Sequence, residues 1–318
     1  MAKYNASCNP FGQNRIFFVT GIANACGIAP QSTKTLSMPQ NPFTRLTLTG
    51  LFLFIASLSF AQTLTLKGMV KSAAQQEAIP YVNIGIKKKN IGTASKLYGT
   101  FSLTLKEENR QDTLTFSAVG YQEVSLPIAV ILANQTSEFF LSEKTTALQE
   151  VVIRSKTPKT RKFGTTSRNP FLYGSAETVH SDDISELAKH IGLNNKPSEI
   201  LSATVYLRSV KRDSATFRIN LYKPEAGMPG ERLIEKSIIK RLPLNQGWVT
   251  IPLEPYGIVV EDDFFLGIEY LPEHSQYEKY IFTYGAALGG SGYTRKASLG
   301  DWEKFVGARL AAYVTVRQ

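Results

Sequence analysis

The chain has 318 residues, with 36 Lys and Arg against 26 Asp and Glu, for a formal net charge of +10. Its two cysteines, Cys8 and Cys26, both lie near the start, so no disulfide framework and no thiolate metal site is available to the rest of the chain. The basic excess is mild for this length and argues against nucleic acid as a partner.

The most apolar stretch is RLTLTGLFLFIASLSFAQ, Arg45 to Gln62. As a helix, Leu46–Ala61 would reach roughly 24 Å, short of the ~30 Å hydrocarbon core of a bilayer. A basic flank, a short apolar core and small residues ending at Ala61 predict an export signal over 38–61, cleaved after Ala61. A retained single-span anchor is the alternative. Met38 would give a signal of ordinary length, which leaves residues 1–37 as a leader or an over-extended start. IFFVTGIANAC, ending at Cys26, faintly resembles a lipoprotein cleavage site. Residues 1–61 hold four of the basic side chains and no acid, so residues 62–318 carry 32 against 26, a net +6.

From Gln62 to about Ser142 apolar residues alternate. Leu64, Leu66 and Val70 share one face; so do Val82, Ile84 and Ile86, then Phe101, Leu103 and Leu105, then Leu114, Phe116 and Ala118. Period-2 patterning broken by Pro80, Gly92, Gly99 and Gly120 predicts short, half-buried strands in a small antiparallel sandwich. Gly99, ahead of Phe101, fits a tight turn with positive φ.

Gly68, Ile79-Pro80-Tyr81-Val82-Asn83-Ile84, Gly92-Thr93, Gly99-x-Phe101-x-Leu103 and Phe116-Ser117-Ala118-Val119-Gly120-Tyr121 together resemble the carboxypeptidase-regulatory-like domain. The resemblance spans 62–142 and implies a seven-stranded prealbumin-like (Ig-like) sandwich. That family occurs beside metallocarboxypeptidase domains and at the front of TonB-dependent outer-membrane receptors. It implies an accessory fold without catalytic residues.

Residues 143–175 read as a connector. Arg154, Lys156, Lys159, Arg161, Lys162 and Arg168 follow Val151 with no intervening acid, a basic stretch suited to peripheral contact with a membrane surface or an acidic partner. Strand patterns resume over 176–318: Ala203, Val205 and Leu207 alternate, then Phe217, Ile219 and Leu221. WVTIPL, the near-continuous and therefore central DFFLGIEYL, YIFTY and RLAAYVTV follow. This predicts a larger, jelly-roll-like β-sandwich of at least six strands. In SDDISELAKHIGL the spacing of Ile184, Leu187, Ala188 and Ile191, with Asp183 and Glu186 as a capping box, fits a helix; an extended segment is the alternative. Phe217-Arg218, Leu221-Tyr222, Pro229-Gly230, Gly247-Trp248, Asp263-Phe264-Phe265 and Arg295…Gly300-Asp301-Trp302-x-Lys304 resemble the C-terminal half of exported Gram-negative envelope proteins without a settled activity. More loosely, the segment is similar to galactose-binding-like jelly rolls.

His180, His190 and His274 stand in no zinc-peptidase motif. Asp183, Glu186 and His190 would share one face of a helix. Glu261-Asp262-Asp263 reads as a charged turn before a strand rather than a Ca²⁺ loop. No nucleophile elbow, P-loop or dinucleotide fingerprint occurs. No catalytic residue, metal ligand or cofactor is assigned. The aromatic-rich 272–305 stretch, with Tyr277, Tyr280 and Phe305 among its rings, supplies the candidate ligand-binding residues: Tyr284, Tyr293, Arg295, Trp302 and Lys304. Rings that stack on sugars are set there beside polar groups that fix hydroxyls; plugging the sandwich ends is the competing role.

These readings converge on an exported, two-domain, all-β envelope protein, periplasmic or outer-membrane associated. It would bind or scaffold a polysaccharide or an envelope protein. A glycan or peptide hydrolase using acids of the C-terminal sandwich is the alternative.

Overall fold

The computed structural model describes residues 63–318 apart from 145–158, 181, 210, 246 and 274–279. The leader, the apolar run 46–61, His274 and Tyr277 lie outside the described residues. Among those described, no helix is long and apolar enough to cross a membrane.

Seven strands build the N-terminal sandwich: β1 (Thr63–Ser72), β2 (Asn83–Ile86), β3 (Ile91–Ala94), β4 (Thr100–Lys106), β5 (Thr113–Ser117), β6 (Val124–Pro127) and β7 (Glu138–Leu141). They form two sheets, ordered β4-β1-β7 and β3-β2-β5-β6. The alternating residues point between the sheets, where Val70, Ile84, Leu114 and Phe116 are fully buried. Phe116 stacks on Phe139 at 4.5 Å between ring centroids, and Phe101 meets both rings. Gly99 takes φ +73° in its turn, as its position predicts. One pairing departs from the antiparallel expectation: β1 and β7 run parallel. The short helix α1 (Ile128–Ala133) links β6 in one sheet to β7 in the other, and β1 and β7 are joined only through the intervening strands β2 to β6, a long connection of the kind parallel neighbours require.

Thirteen strands follow: β8 (Thr160–Gly164), β9 (Tyr173–Glu177), β10 (Ser185–Ile191), β11 (Ser198–Arg208), β12 (Ser214–Glu225), β13 (Met228–Arg232), β14 (Ile238–Pro243), β15 (Gly247–Pro252), β16 (Val259–Val260), β17 (Phe264–Leu271), β18 (Tyr280–Arg295), β19 (Glu303–Leu310) and β20 (Ala312–Arg317). The main path is β13-β12-β17-β10-β18-β11-β20-β8. The 16-residue β18 joins two layers. Its first half pairs with β9 and β11, its second half with β10 and β19. Phe217, Leu221, Leu266 and Ile268 from one layer and Val205, Leu207, Ile251 and Val314 from the other share a single core.

β17 is central, and all eight of its residues are buried. Within the stretch read as a connector, Thr160–Gly164 is a strand paired with β20, because Phe163 packs against the main core. Residues 185–191 are a strand, not a helix. β10 lies between β17 and β18, so Leu187 and Ile191 reach the core while Glu186 and Ala188 face the other side. Two flanking strands satisfy its backbone, and that outweighs the helical spacing of its apolar residues. Asp183 does not cap a helix; its Oδ1 accepts from the backbone N–H groups of Ile184 and Ser298, each at 2.8 Å.

The two sandwiches lie within one compact unit, Ala61–Gln318. Ala94 N–H and Thr93 Oγ1 donate to the Asp182 carbonyl at 2.8 and 3.0 Å. Gly120 N–H and Lys144 Nζ both reach Glu235, at 3.0 and 2.6 Å.

Candidate functional site

The outward face of β10, β12, β17 and β18 carries charge where a free sheet face would meet water. Strand register sets Arg295, Glu186, Glu269 and Arg218 side by side across four adjacent strands. Glu186 and Glu269 are fully buried, and Arg218 is 2% exposed. Two like charges opposite each other are unfavourable unless bridged. Asn220 bridges them, its Nδ2 donating to Glu186 Oε1 at 2.8 Å and to Glu269 Oε2 at 2.7 Å. Arg295 pairs with Glu186, and Tyr222 donates its hydroxyl to the same carboxylate at 2.7 Å. Arg218 pairs with Glu269 at 3.2 Å and donates to the Tyr81 carbonyl at 2.5 Å; Asn83 Nδ2 donates to Glu269 at 2.9 Å. Tyr81 and Asn83 belong to the N-terminal sandwich, so this row also fastens the two sandwiches together.

Burial alone would push the Glu269 carboxyl up. The guanidinium groups of Arg218, Arg232 and Arg295, with the Asn83 amide, outweigh it and hold the group down at about 2. Burial and the neighbouring Glu186 charge push the Tyr222 hydroxyl well above its ordinary range, so it stays a donor. Gly267 makes the row fit: a Cβ there would lie 2.6 Å from Glu186 Oε1 and 2.8 Å from the Tyr222 ring. Gly267→Ala should cost about 1–3 kcal/mol, the usual penalty for overpacking, measured by denaturant unfolding. A loss under about 0.5 kcal/mol would show that the row can spread.

Four of the five predicted ligand-binding residues adjoin this row. The Arg295 guanidinium lies 4.7 Å over Trp302, and Trp302 meets Tyr222 edge-on at 5.7 Å. Tyr293 is 7% exposed and packs against Phe265, with Lys304 Nζ 5.8 Å above its ring. Tyr284 is elsewhere, 8% exposed and pointing into the main core. Tyr293 packs instead with Ala188, Tyr222 and Phe265, outside that core, so the two lie on opposite faces. Arg295 is already committed to a buried carboxylate, and Trp302 covers that pair. Glu186 and His190 sit four residues apart on a strand, about 13 Å, and His190 faces Asp263 at 3.5 Å. Among the described residues, no cluster of three or more His, Cys, Asp or Glu side chains could hold a metal ion.

The opposite layer presents a different surface. On β11 the residues out of phase with the core are Thr204, Tyr206 and Arg208; on β15, Trp248 and Thr250; on β20, Tyr313. Tyr206 meets Trp248 edge-on at 5.7 Å, and Trp248 meets Tyr313 at 5.7 Å. Tyr173 on β9 extends the row, 6.3 Å from Tyr206. The Arg168 guanidinium lies 4.1 Å over Tyr206 and 5.1 Å over Tyr173, and Lys162 lies 5.1 Å over Tyr313. Gly285 gives the space: a Cβ there would come within 2.8 Å of Tyr206 and 2.9 Å of Arg168. An Asx turn, Phe171 N–H to Asn169 Oδ1 at 2.9 Å, precedes β9, and Phe171 in it is 94% exposed. Tyr206, Trp248 and Tyr313 are part-exposed, unlike the sealed rings near Trp302.

This platform was not singled out in the sequence, although its signal was there. Each of its strand aromatics stands at the outward phase of an alternating strand, where a polar residue is the ordinary choice. Arg168 and Lys162 come from the basic stretch read as a connector. Rings flanked by guanidinium and ammonium groups on an open sheet face suit stacking against a flat ligand while engaging its polar substituents.

Residues 66–153 match the model of the CarboxypepD_reg-like domain. Over 167 residues the chain is 28% identical to the TonB-dependent receptor SusC of Bacteroides thetaiotaomicron, an alignment covering 52% of this chain and 14% of SusC. The chain therefore spans a small part of that relative's length. Among solved structures, the cysteine protease and lectin-like domains of Cwp84 from Clostridium difficile align at 8% identity and TM-score 0.35, covering 75% of this chain and 58% of that one. The VP2 subviral particle of infectious bursal disease virus aligns at 10% identity and TM-score 0.25, covering 80% and 62%. Both scores lie below the level that marks a shared fold.

Proposed function

We propose that this chain is an envelope-associated binding module that holds a polysaccharide on the Tyr173–Tyr206–Trp248–Tyr313 face. The matched CarboxypepD_reg-like domain and the similarity to a TonB-dependent receptor suggest the envelope association. Export through the Leu46–Ala61 run is part of the same reading and puts the module on the periplasmic or outer-membrane side. The observation that carries the binding role is the open aromatic row with Arg168 wedged between two of its rings. Glu186 and Glu269, neighbouring acids of the C-terminal sandwich, are sealed and held by internal partners, which favours binding over hydrolysis at that pair.

The test is a thermal-shift screen of the full chain against envelope and plant glycans. A ligand at 100 times its Kd adds about 2.7 kcal/mol, a shift of several degrees for a chain of this size. Trp248→Ala should weaken binding about tenfold or more, as loss of a central interface tryptophan does, and cut the shift to about half or less. Trp302→Ala is the companion variant. A shift lost with Trp302→Ala but kept with Trp248→Ala would move the site to the opposite face. No shift with any glycan would overturn the polysaccharide reading and leave an envelope protein as partner.

A further inference from the structure

The aromatic face is dominated by cations, although Glu177 shares the outward side of β9 with Tyr173 and Asp213 is exposed near Lys211. Lys162, Arg168, Arg208 and Lys211 stand on or beside it, and among the described residues none has a carboxylate within ion-pair distance. The outward side chains near the rings, Ser202, Thr204, Thr250 and Thr315, are neutral hydroxyls, with Thr204 buried and hydrogen-bonded to Thr250 at 3.0 Å. The acids at the far end, Glu199 and Glu254, are held by Arg317 at 2.8 and 3.4 Å. At the near end the face opens into a cleft of about 400 Å³, lined by Tyr173, Arg208, Lys211, Ile281 and Phe282. Burial pushes the Tyr173 hydroxyl up, but hydrogen bonding with Arg208 and the charge of Arg168 overcome it, and the group sits below its ordinary value. A neutral sugar offers hydroxyls that donate as much as they accept, so its sites ordinarily include carboxylate or amide acceptors. This face offers cations and hydroxyls, and suits a ligand rich in acceptors.

We infer that the polysaccharide is anionic, a uronate-type chain whose sugar rings lie along Tyr206, Trp248 and Tyr313 and whose carboxylates pair with Arg208 and Lys211 at the cleft. The inference rests on the polysaccharide reading above and narrows it to one ligand class.

The decisive comparison uses polygalacturonate and its fully methyl-esterified form, which share a backbone and differ in charge. The full chain should bind the acid form at least about tenfold more tightly, and the difference should shrink as salt is raised. Replacing both Arg208 and Lys211 with alanine should lower affinity for the acid form about tenfold and leave the ester unchanged. Both residues are exposed, so the variant's thermal midpoint should match the parent's. Equal binding of acid and ester would overturn the anionic inference and leave the platform as a glycan site. Binding of neither would overturn the polysaccharide reading as well. Retention on phosphatidylglycerol vesicles in place of polygalacturonate would overturn both in favour of a lipid surface.

Discussion

Replacing Arg218 with methionine is expected to lower unfolding stability by about 3–5 kcal/mol, the cost of stranding a buried charge. Arg218 is 2% exposed and Glu269 fully buried, so neither can turn to water for compensation. Methionine fills much of the same volume, which confines the damage to electrostatics and hydrogen bonding. Glu269 would keep Asn83 and Asn220, while the Tyr81 carbonyl would lose the guanidinium that ties the N-terminal sandwich to β12. At about 2–4 °C per kcal/mol, thermal unfolding should move down by about 10 °C. Pairing the change with Glu269→Gln should recover at least about 1 kcal/mol, since the double variant no longer strands the Glu269 charge. A double-mutant cycle from denaturant unfolding measures that coupling. A loss under about 1 kcal/mol in the single variant would mean that Arg232 and Arg295 neutralise Glu269 without Arg218.

The second large effect is on pH. Burial pushes the Asp183 carboxyl up to about 7, against the hydrogen bonds of Ser298 and Ile184 and the charge of Arg295, which pull it down. A raised carboxyl binds its proton more tightly in the folded than in the unfolded chain. Stability from this group is therefore complete below the unfolded value near 3.8 and is lost as pH rises to about 7. The span corresponds to about 4 kcal/mol. Glu269 acts in the opposite sense. Its carboxyl is held at about 2, so its contribution is present above the ordinary 4.5 and lost as pH falls toward 2. Together they place maximum stability near pH 4–5. Asp183→Asn keeps an acceptor for the Ile184 and Ser298 amides and removes the charge. It should flatten the decline between pH 4 and 7 and leave the variant more stable than the parent at pH 8. Thermal unfolding across that range checks both statements. A parent whose midpoint is level from pH 4 to 8 would contradict the assignment to Asp183.

Much of the architecture was legible as period-2 alternation. Alternation puts Val70, Ile84, Phe101, Leu114 and Phe116 inside the N-terminal sandwich, and the near-continuous apolar run puts DFFLGIEYL at the centre of the C-terminal one, because burying apolar groups on one face of a strand is a local property of its sequence. Even the buried charge row had a local trace. Glu269 interrupts the apolar run of β17 and Arg218 that of β12, and a charge inside a buried strand requires an opposite charge nearby.

What the sequence could not decide was which strands become neighbours. Residues 185–191 satisfy helical spacing as well as extended pairing, and only the presence of β17 and β18 on either side settles them as strand. Tyr284 and Tyr293 lie close in sequence with similar surroundings, yet β18 shifts register between Leu288 and Ser291 and changes partners, and one ring enters the core while the other packs on the outer face. Tyr173, Tyr206, Trp248 and Tyr313 are spread over 140 residues of chain and become one surface only after β9, β11, β15 and β20 assemble. Alternation is set by each residue's own phase along its strand. Strand register and order depend on the free energy of burying the whole set together, so a site built across strands belongs to the tertiary structure.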